Sequence, residues 1–133
     1  MKKGWRITLG ILLAMAVLIG GTLLIVGSQT RRLIALDYSS VIPAALADGT
    51  YTGQTKTLLT AAEIKVDILE GKLAAIRLIQ HFYGKGMAAE AILDSMMAAN
   101  RLDVDSISGA TVSSLTIKAA VLNALAKGGP ANE

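Results

Sequence analysis

Hydrophobic and polar positions divide the chain into one long apolar segment and a region of shorter patterns. Residues 7–26 carry no charged side chain, and a helix of about 20 apolar residues crosses a bilayer. Basic residues flank this segment: Lys2, Lys3 and Arg6 precede it, and Arg31 and Arg32 follow it. The slight excess of positive charge before the segment predicts a transmembrane helix at 7–26, a cytoplasmic N-terminus at 1–6 and a domain outside the cytoplasm. A cleaved signal peptide is the alternative, although its apolar region is usually shorter.

Residues 27–47 are predicted to form a linker without clear secondary structure, and patterns typical of strands follow it. Asp48-Gly49 is a turn pair, and the β-favouring residues from Thr50 to Thr57 predict a first strand. Glu63–Leu69 places Ile64, Val66 and Ile68 against Lys65 and Asp67, which is typical of a strand with one buried face. The turn Glu70-Gly71-Lys72 then leads into the apolar strand Leu73–Gln80, so these two strands are predicted to form a hairpin.

Helical spacing marks the C-terminal half. Met87–Ala99 is predicted as a helix, with Ala88, Ile92 and Met96 on one side and Glu90 and Asp94 on the other. Val112–Lys127 is predicted as a second helix, with Leu115, Ala119, Leu122 and Leu125 on its apolar side, and Gly128-Gly129-Pro130 ends it. The predicted fold class is therefore α+β: a small antiparallel sheet with packed helices over residues 48–127, one N-terminal transmembrane helix, and a tail at 128–133.

Composition and charge exclude several classes of function. The chain has no Cys and one His, which argues against thiolate chemistry and against a metal centre built on several histidines. The net charge is +3, but after Arg32 ten acidic residues outnumber eight basic ones. The basic excess therefore belongs to the flanks of the apolar segment, and no nucleic-acid partner is expected. No G-x-S-x-G or G-x-x-x-x-G-K-[ST] motif is present, and we predict no catalytic residue and no metal site.

The candidate chemistry lies just before the last helix, in residues 105–114. Small residues such as Gly109 and Ala110 let a bulky group approach the backbone, and Thr111 stands where a helix begins. The first N–H groups of a helix and its dipole favour an anion such as a phosphate. The alternative, which the spacing alone favours, is that Thr111 or Ser108 simply caps the helix.

The run Asp105 to Thr111, D-x-x-S-G-A-T, resembles the flavinylation motif of FMN-binding domains. Such domains occur in the flavin-carrying subunits of sodium-pumping NADH:quinone oxidoreductase and of the Rnf complex. The stretch Asp48–Gly53 is similar to the opening D-G-x-Y-x-G of the family, and residues 81–86 and 89–92 are similar to its central loop and the helix that follows. The resemblance extends from Asp48 to about Ala126.

This resemblance implies that Thr111 carries FMN through a phosphoester bond. A magnesium-dependent FMN transferase would take the FMN from FAD and release AMP, because threonine alone is a weak nucleophile. Asp105, Ser108, Gly109 and Ala110 would form the signature that the transferase recognises. Ser113 and Ser114 would donate to the phosphate or complete the start of the helix, and both roles can coexist.

The family position also implies that a loop containing His81, Tyr83, Gly84 and Gly86 faces the flavin. The alternative for His81 is a hydrogen-bonded surface residue after a strand. Tyr51 either faces the flavin or packs within the hairpin, and packing is favoured.

The expected function is that of a membrane-anchored carrier of covalent FMN in the cell membrane, rather than a stand-alone enzyme. It would pass electrons outside the cytoplasm between redox donor and acceptor proteins or quinone. A non-redox FMN-binding or assembly module, with non-covalent flavin or none, and a structural subunit with a vestigial motif are the alternatives. Because the chain is far smaller than the respiratory-pump subunits, membership in such a pump does not follow.

Overall fold

The computed structural model describes residues 2–83 and 87–127, in which one long helix precedes a three-stranded sheet with helices packed on it. The helices are α1 (Lys2–Ile34), α2 (Ile92–Ala99) and α3 (Thr111–Ala126). The strands are β1 (Gly49–Lys56), β2 (Thr60–Leu69) and β3 (Lys72–Tyr83), and short 3-10 turns lie at Pro43–Ala45 and Met87–Ala91. The predicted α+β class is confirmed. The predicted tail, 128–133, lies outside the described residues.

Helix α1 is longer than the predicted membrane segment and continues eight residues past Val26, to Ile34. The stretch 27–34, which the pattern assigned to the linker, contains no proline, and its Gly27 weakens the helix without ending it. The helix is long and apolar enough to cross a membrane, a property that a signal sequence shares. Its C-terminal end joins the domain, because Leu33 is buried in the core next to α3.

The sheet has the order β1-β2-β3, and both pairs of neighbours are antiparallel. Glu70 and Gly71 both have positive φ angles, +51° and +74°, and form the tight turn of the predicted β2–β3 hairpin. The predicted alternation is also confirmed, since Ile64, Val66 and Ile68 are at most 2% exposed. The sheet therefore has one apolar face, which the helices cover.

Helix α3 lies on that face and is buried on nearly every side. Its four predicted apolar positions, Leu115, Ala119, Leu122 and Leu125, all belong to the core. The closest approach is at Gly53 of β1, where a Cβ would overlap Ala120 O and Ala124 N and would lie 2.7 Å from Ala124 Cα. The strand and helix backbones thus touch directly, which fixes the position of α3 on the sheet.

The predicted helix Met87–Ala99 has a different first turn, and one of its predicted core positions is wrong. Residues 87–91 form a 3-10 turn, and α-helical structure begins at Ile92. Because a 3-10 turn has three residues, Ala89 lies on the same side as Ile92 and is buried, whereas Ala88 is exposed. Ile92 and Met96 are buried and Asp94 is exposed, as the spacing predicted.

Candidate functional site

A tight turn brings the chain into the N-terminus of α3. Ala110 N donates to Ile107 O at 3.0 Å, and Gly109, the third residue of this turn, has a φ of +79°. That angle is typical of a type II turn and strongly favours glycine. Since no atom of the described residues lies within 4 Å of a Cβ placed on Gly109, the backbone angle and not the available space explains the glycine here.

Ser114 ties this turn to the helix. Its hydroxyl accepts a hydrogen bond from Ile107 N at 3.0 Å and donates one to Ala110 O at 2.8 Å, and the residue is fully buried. Ser114 therefore completes the start of the helix, one of its two predicted roles. The alternative interpretation, capping of the helix by Thr111 or Ser108, is wrong: the capping position is Ala110, no side chain among the described residues caps it, and Thr111 is the first helical residue.

Replacing Ser114 by alanine is expected to destabilise the turn. The substitution leaves Ile107 N without its acceptor, so we expect a loss of about 1–3 kcal/mol in the free energy of unfolding. Chemical denaturation in detergent measures this loss. Ser113→Ala is the matched control, because the Ser113 hydroxyl has no partner in the described part of the chain. Equal losses for the two variants would contradict this role of Ser114.

Several polar groups at the start of α3 have no partner among residues 2–83 and 87–127. They are the backbone N–H groups of Thr111, Val112 and Ser113 and the hydroxyls of Thr111 and Ser113. The Thr111 side chain is exposed, whereas Ser113 is only 5% exposed. Buried polar groups usually have partners, and unpaired N–H groups at the positive end of a helix attract an anion.

A cavity of about 380 Å³ opens beside Thr111, within the size range of small-molecule sites. Thr111, Leu115 and Lys118 line it from one side of α3, because their spacing of four and three residues puts them in a row. Asp103 and Ser106 line it from the preceding loop, and residues of the segment 34–39 form the opposite wall. The segment predicted as a linker, residues 27–47, therefore contributes to the site.

Among the described residues that line this cavity, Lys118 is the one cation. It is 5% exposed, its ammonium donates to Val104 O at 2.7 Å, and it lies 4.5 Å from the centre of the Tyr38 ring. Desolvation lowers the pKa of Lys118, and the carboxylates of Asp103 and Asp105 oppose that shift. An anion entering the cavity would favour the charged ammonium.

Tyr38 supports Lys118 from the opposite wall. Its hydroxyl donates to Leu33 O at 2.6 Å, and burial raises the pKa of Tyr38 to about 12, so the phenol is neutral at physiological pH. Neither Tyr38 nor Lys118 was predicted from the sequence as part of the site. Lys118 could have been, because it lies seven residues after Thr111, about two turns along the predicted helix and on the same side.

The signature residues before Thr111 are mostly accessible. Asp105, Ser108 and Gly109 are exposed, and Ala110 is buried beneath the turn. A partner protein can therefore reach the loop and the Thr111 hydroxyl together.

Two of the predicted flavin-facing residues lie at the end of a strand whose backbone is paired near this region. His81 and Tyr83 end β3, and Tyr83 pairs with Thr60 of β2. The Thr60 hydroxyl lies 2.6 Å from that of Thr116, five residues after Thr111 on α3. Gly84 and Gly86 lie outside the described residues, and the contact of this loop with flavin stays a prediction. Tyr51 is 2% exposed and donates to Ala47 O, as the packing interpretation predicted.

A second, larger cavity of about 510 Å³ lies at the β1–β2 hairpin. Its charged lining residues are Lys56 and Glu63, and none of the residues 105–114 contributes to it. Size alone would favour this cavity, but the smaller one contains the free hydroxyl, the buried cation and the start of α3. The smaller cavity is therefore the candidate functional site.

A model of the FMN-binding domain family matches residues 50–126, from β1 to the last residue of α3. The chain belongs to the FMN-binding domain family. Comparison with curated proteins and with solved structures gives no match. The matched part of this FMN-binding domain is more than half of the chain and contains the sheet except Gly49, the first residue of β1, together with the turn at Gly109 and the N-terminus of α3.

The donor set of the candidate site fits FMN. The cofactor carries a phosphate, and the start of α3 offers three N–H groups that have no partner among the described residues. The Ser113 hydroxyl belongs to the same helix start but is not among the residues that line the cavity. The carboxylates of Asp37 and Asp103 line the same cavity and bring negative charge to it. Lys118 supplies a positive charge that partly offsets theirs. A hydrogen bond between a charged donor and a phosphate is stronger than a neutral one, so these groups favour the phosphate end of the cofactor.

Proposed function

We propose that this protein is a membrane-anchored electron carrier with FMN joined to Thr111 by a phosphoester bond. The observation that carries the proposal is the Thr111 hydroxyl, which is exposed and has no hydrogen-bond partner in the described part of the chain, at the start of α3 within the family motif. A hydroxyl that caps its helix would have to break that bond before reacting. Thr111 is free of this requirement.

An external magnesium-dependent transferase forms the ester. Thr111 Oγ1 makes a bond to the FMN phosphorus of FAD, the pyrophosphate bond breaks, AMP leaves, and the hydroxyl proton passes to the transferase. The N–H groups of Val112 and Ser113 and the Ser113 hydroxyl would hold the phosphate, and Lys118 would balance its charge. FMN, when bound, supplies electron transfer, while this chain positions it and sets its surroundings.

The place of the cavity relative to α1 supports exchange of electrons near a membrane. Ile34, which lines the cavity, lies eight residues past Val26, or about 12 Å along the helix axis. With α1 retained as an anchor, the cavity lies close to the bilayer surface. The partners are a membrane donor or quinone and an acceptor outside the cytoplasm, with the orientation set by the basic residues before residue 7.

Co-expression with an FMN transferase tests the covalent bond. The denatured full chain is expected to fluoresce on a gel under ultraviolet light, and its intact mass is expected to rise by that of FMN less one water. Flavin that is released on denaturation would favour the non-covalent binding module instead. Absence of flavin from chains co-expressed with an active transferase would favour the structural subunit.

The charge of Lys118 predicts a measurable coupling to the cofactor. Flavinylation is expected to raise the free energy of unfolding of the wild type. The increase should be smaller by about 1 kcal/mol in Lys118→Met, because the phosphate loses its charged neighbour. Comparing loaded and unloaded forms of each variant isolates this coupling from the effect of the substitution itself. Lys127→Met, at the exposed end of α3, is the control. A gain in Lys118→Met as large as in the wild type would rule the coupling out.

A further inference from the structure

The β1–β2 hairpin displays two exposed leucines at its tip. Leu58 is 53% exposed and Leu59 is 48% exposed. The loop that carries them is held tightly, because Thr57 N donates to Thr60 O at 2.7 Å and Thr60 N donates back to the Thr57 hydroxyl at 3.0 Å. The two apolar side chains therefore project from a closed loop and have no place in the core.

A hydrogen bond fixes the position of this tip relative to α1. Leu58 N donates to Gln29 Oε1 at 2.8 Å. Gln29 lies three residues past Val26, the last residue of the apolar segment, which is about 4.5 Å along the helix axis. The headgroup layer beyond the hydrocarbon core is about 5–8 Å thick on each side. A hairpin at the level of Gln29 therefore lies within that layer when α1 spans the bilayer.

We propose that the hairpin tip, residues 57–59, inserts Leu58 and Leu59 into the interface of the bilayer that α1 spans. This inference rests on the proposed membrane anchor. Lys56, exposed beside the tip, suits the same location, since its ammonium can reach lipid phosphates while its methylene chain stays in the apolar layer. With two attachment points, α1 and the hairpin, the domain cannot turn freely about α1, and the cavity beside Thr111 keeps one orientation to the membrane.

Nitroxide labels on single cysteines test this directly, because the chain has no cysteine of its own. The full chain in lipid nanodiscs is labelled at Leu58→Cys, Leu59→Cys, Leu69→Cys or Leu18→Cys. Leu69 is the matched control: it is 58% exposed and ends β2, about 30 Å along the strand from the hairpin. Leu18, 70% exposed in α1, reports whether that helix is in the membrane.

The accessibility of each label to oxygen, relative to a water-soluble nickel chelate, is the measurement. We expect a ratio several-fold higher at residues 58 and 59 than at 69, and highest at 18. Replacing Gln29 by alanine is expected to lower the ratio at 58, since the bond that sets the height of the hairpin is lost.

The four labels distinguish failure of the proposed membrane anchor from failure of the hairpin proposal. A water-exposed label at residue 18 would overturn the anchor and, with it, the hairpin proposal. A label in lipid at residue 18, with equal ratios at 58, 59 and 69, would overturn the hairpin proposal alone.

Discussion

Replacing Thr111 by alanine is expected to abolish covalent flavin and to leave the fold intact. The loss should be complete, because the substitution removes the oxygen that would form the ester bond. The stability should change by less than about 0.5 kcal/mol, since the Thr111 side chain is exposed and makes no hydrogen bond within the described residues. Fluorescence of the denatured protein and its intact mass, together with its unfolding curve, measure both effects after co-expression with a transferase.

Two further variants make the Thr111 result specific. Thr111→Ser keeps a hydroxyl at the same helix position and is expected to retain covalent flavin. Thr52→Ala removes another exposed threonine, on β1, and is expected to load as the wild type does. Persistent fluorescence of the denatured Thr111→Ala variant would mean that another residue carries the flavin.

The sheet and the core side of α3 could be predicted because each depends on a local repeat in the sequence. Alternation from Ile64 to Ile68 follows from a strand with one buried face, and the spacing from Leu115 to Leu125 follows from a helix. The glycine of the 105–111 motif also has a local reason, since the turn that leads into α3 has a positive φ at Gly109, which favours glycine.

The wall of the cavity could not be predicted, because it depends on contacts between distant parts of the chain. Tyr38 is 80 residues from Lys118, and neither residue belongs to a repeat that would pair them. The end of α1 was missed because residues 27–34 are polar and begin with Gly27 and Ser28, which favour a helix little, although neither residue ends α1. The alternative that spacing alone favoured, capping by Thr111, is wrong because Ser114, from the next turn, supplies the hydrogen bonds that close the start of α3.

Replacing Gly53 by alanine is expected to destabilise the domain strongly, by about 3 kcal/mol or more. The new Cβ would overlap backbone atoms of Ala120 and Ala124, and backbone cannot move aside as a flexible side chain can. Either β1 or α3 must shift, and a shift of α3 also displaces Thr111 at its N-terminus. Chemical denaturation measures the loss, and reduced flavin loading should accompany it.

Gly109→Ala is the control that separates a steric clash from backbone strain. Position 109 also favours glycine, because its φ is +79°, but no atom of residues 2–83 or 87–127 lies within 4 Å of the added Cβ. Strain of this kind costs about 1–2 kcal/mol, so Gly109→Ala should lose clearly less stability than Gly53→Ala. Equal losses would mean that α3 can move away from β1 at little cost, and the direct contact of the two backbones would then not be what positions Thr111.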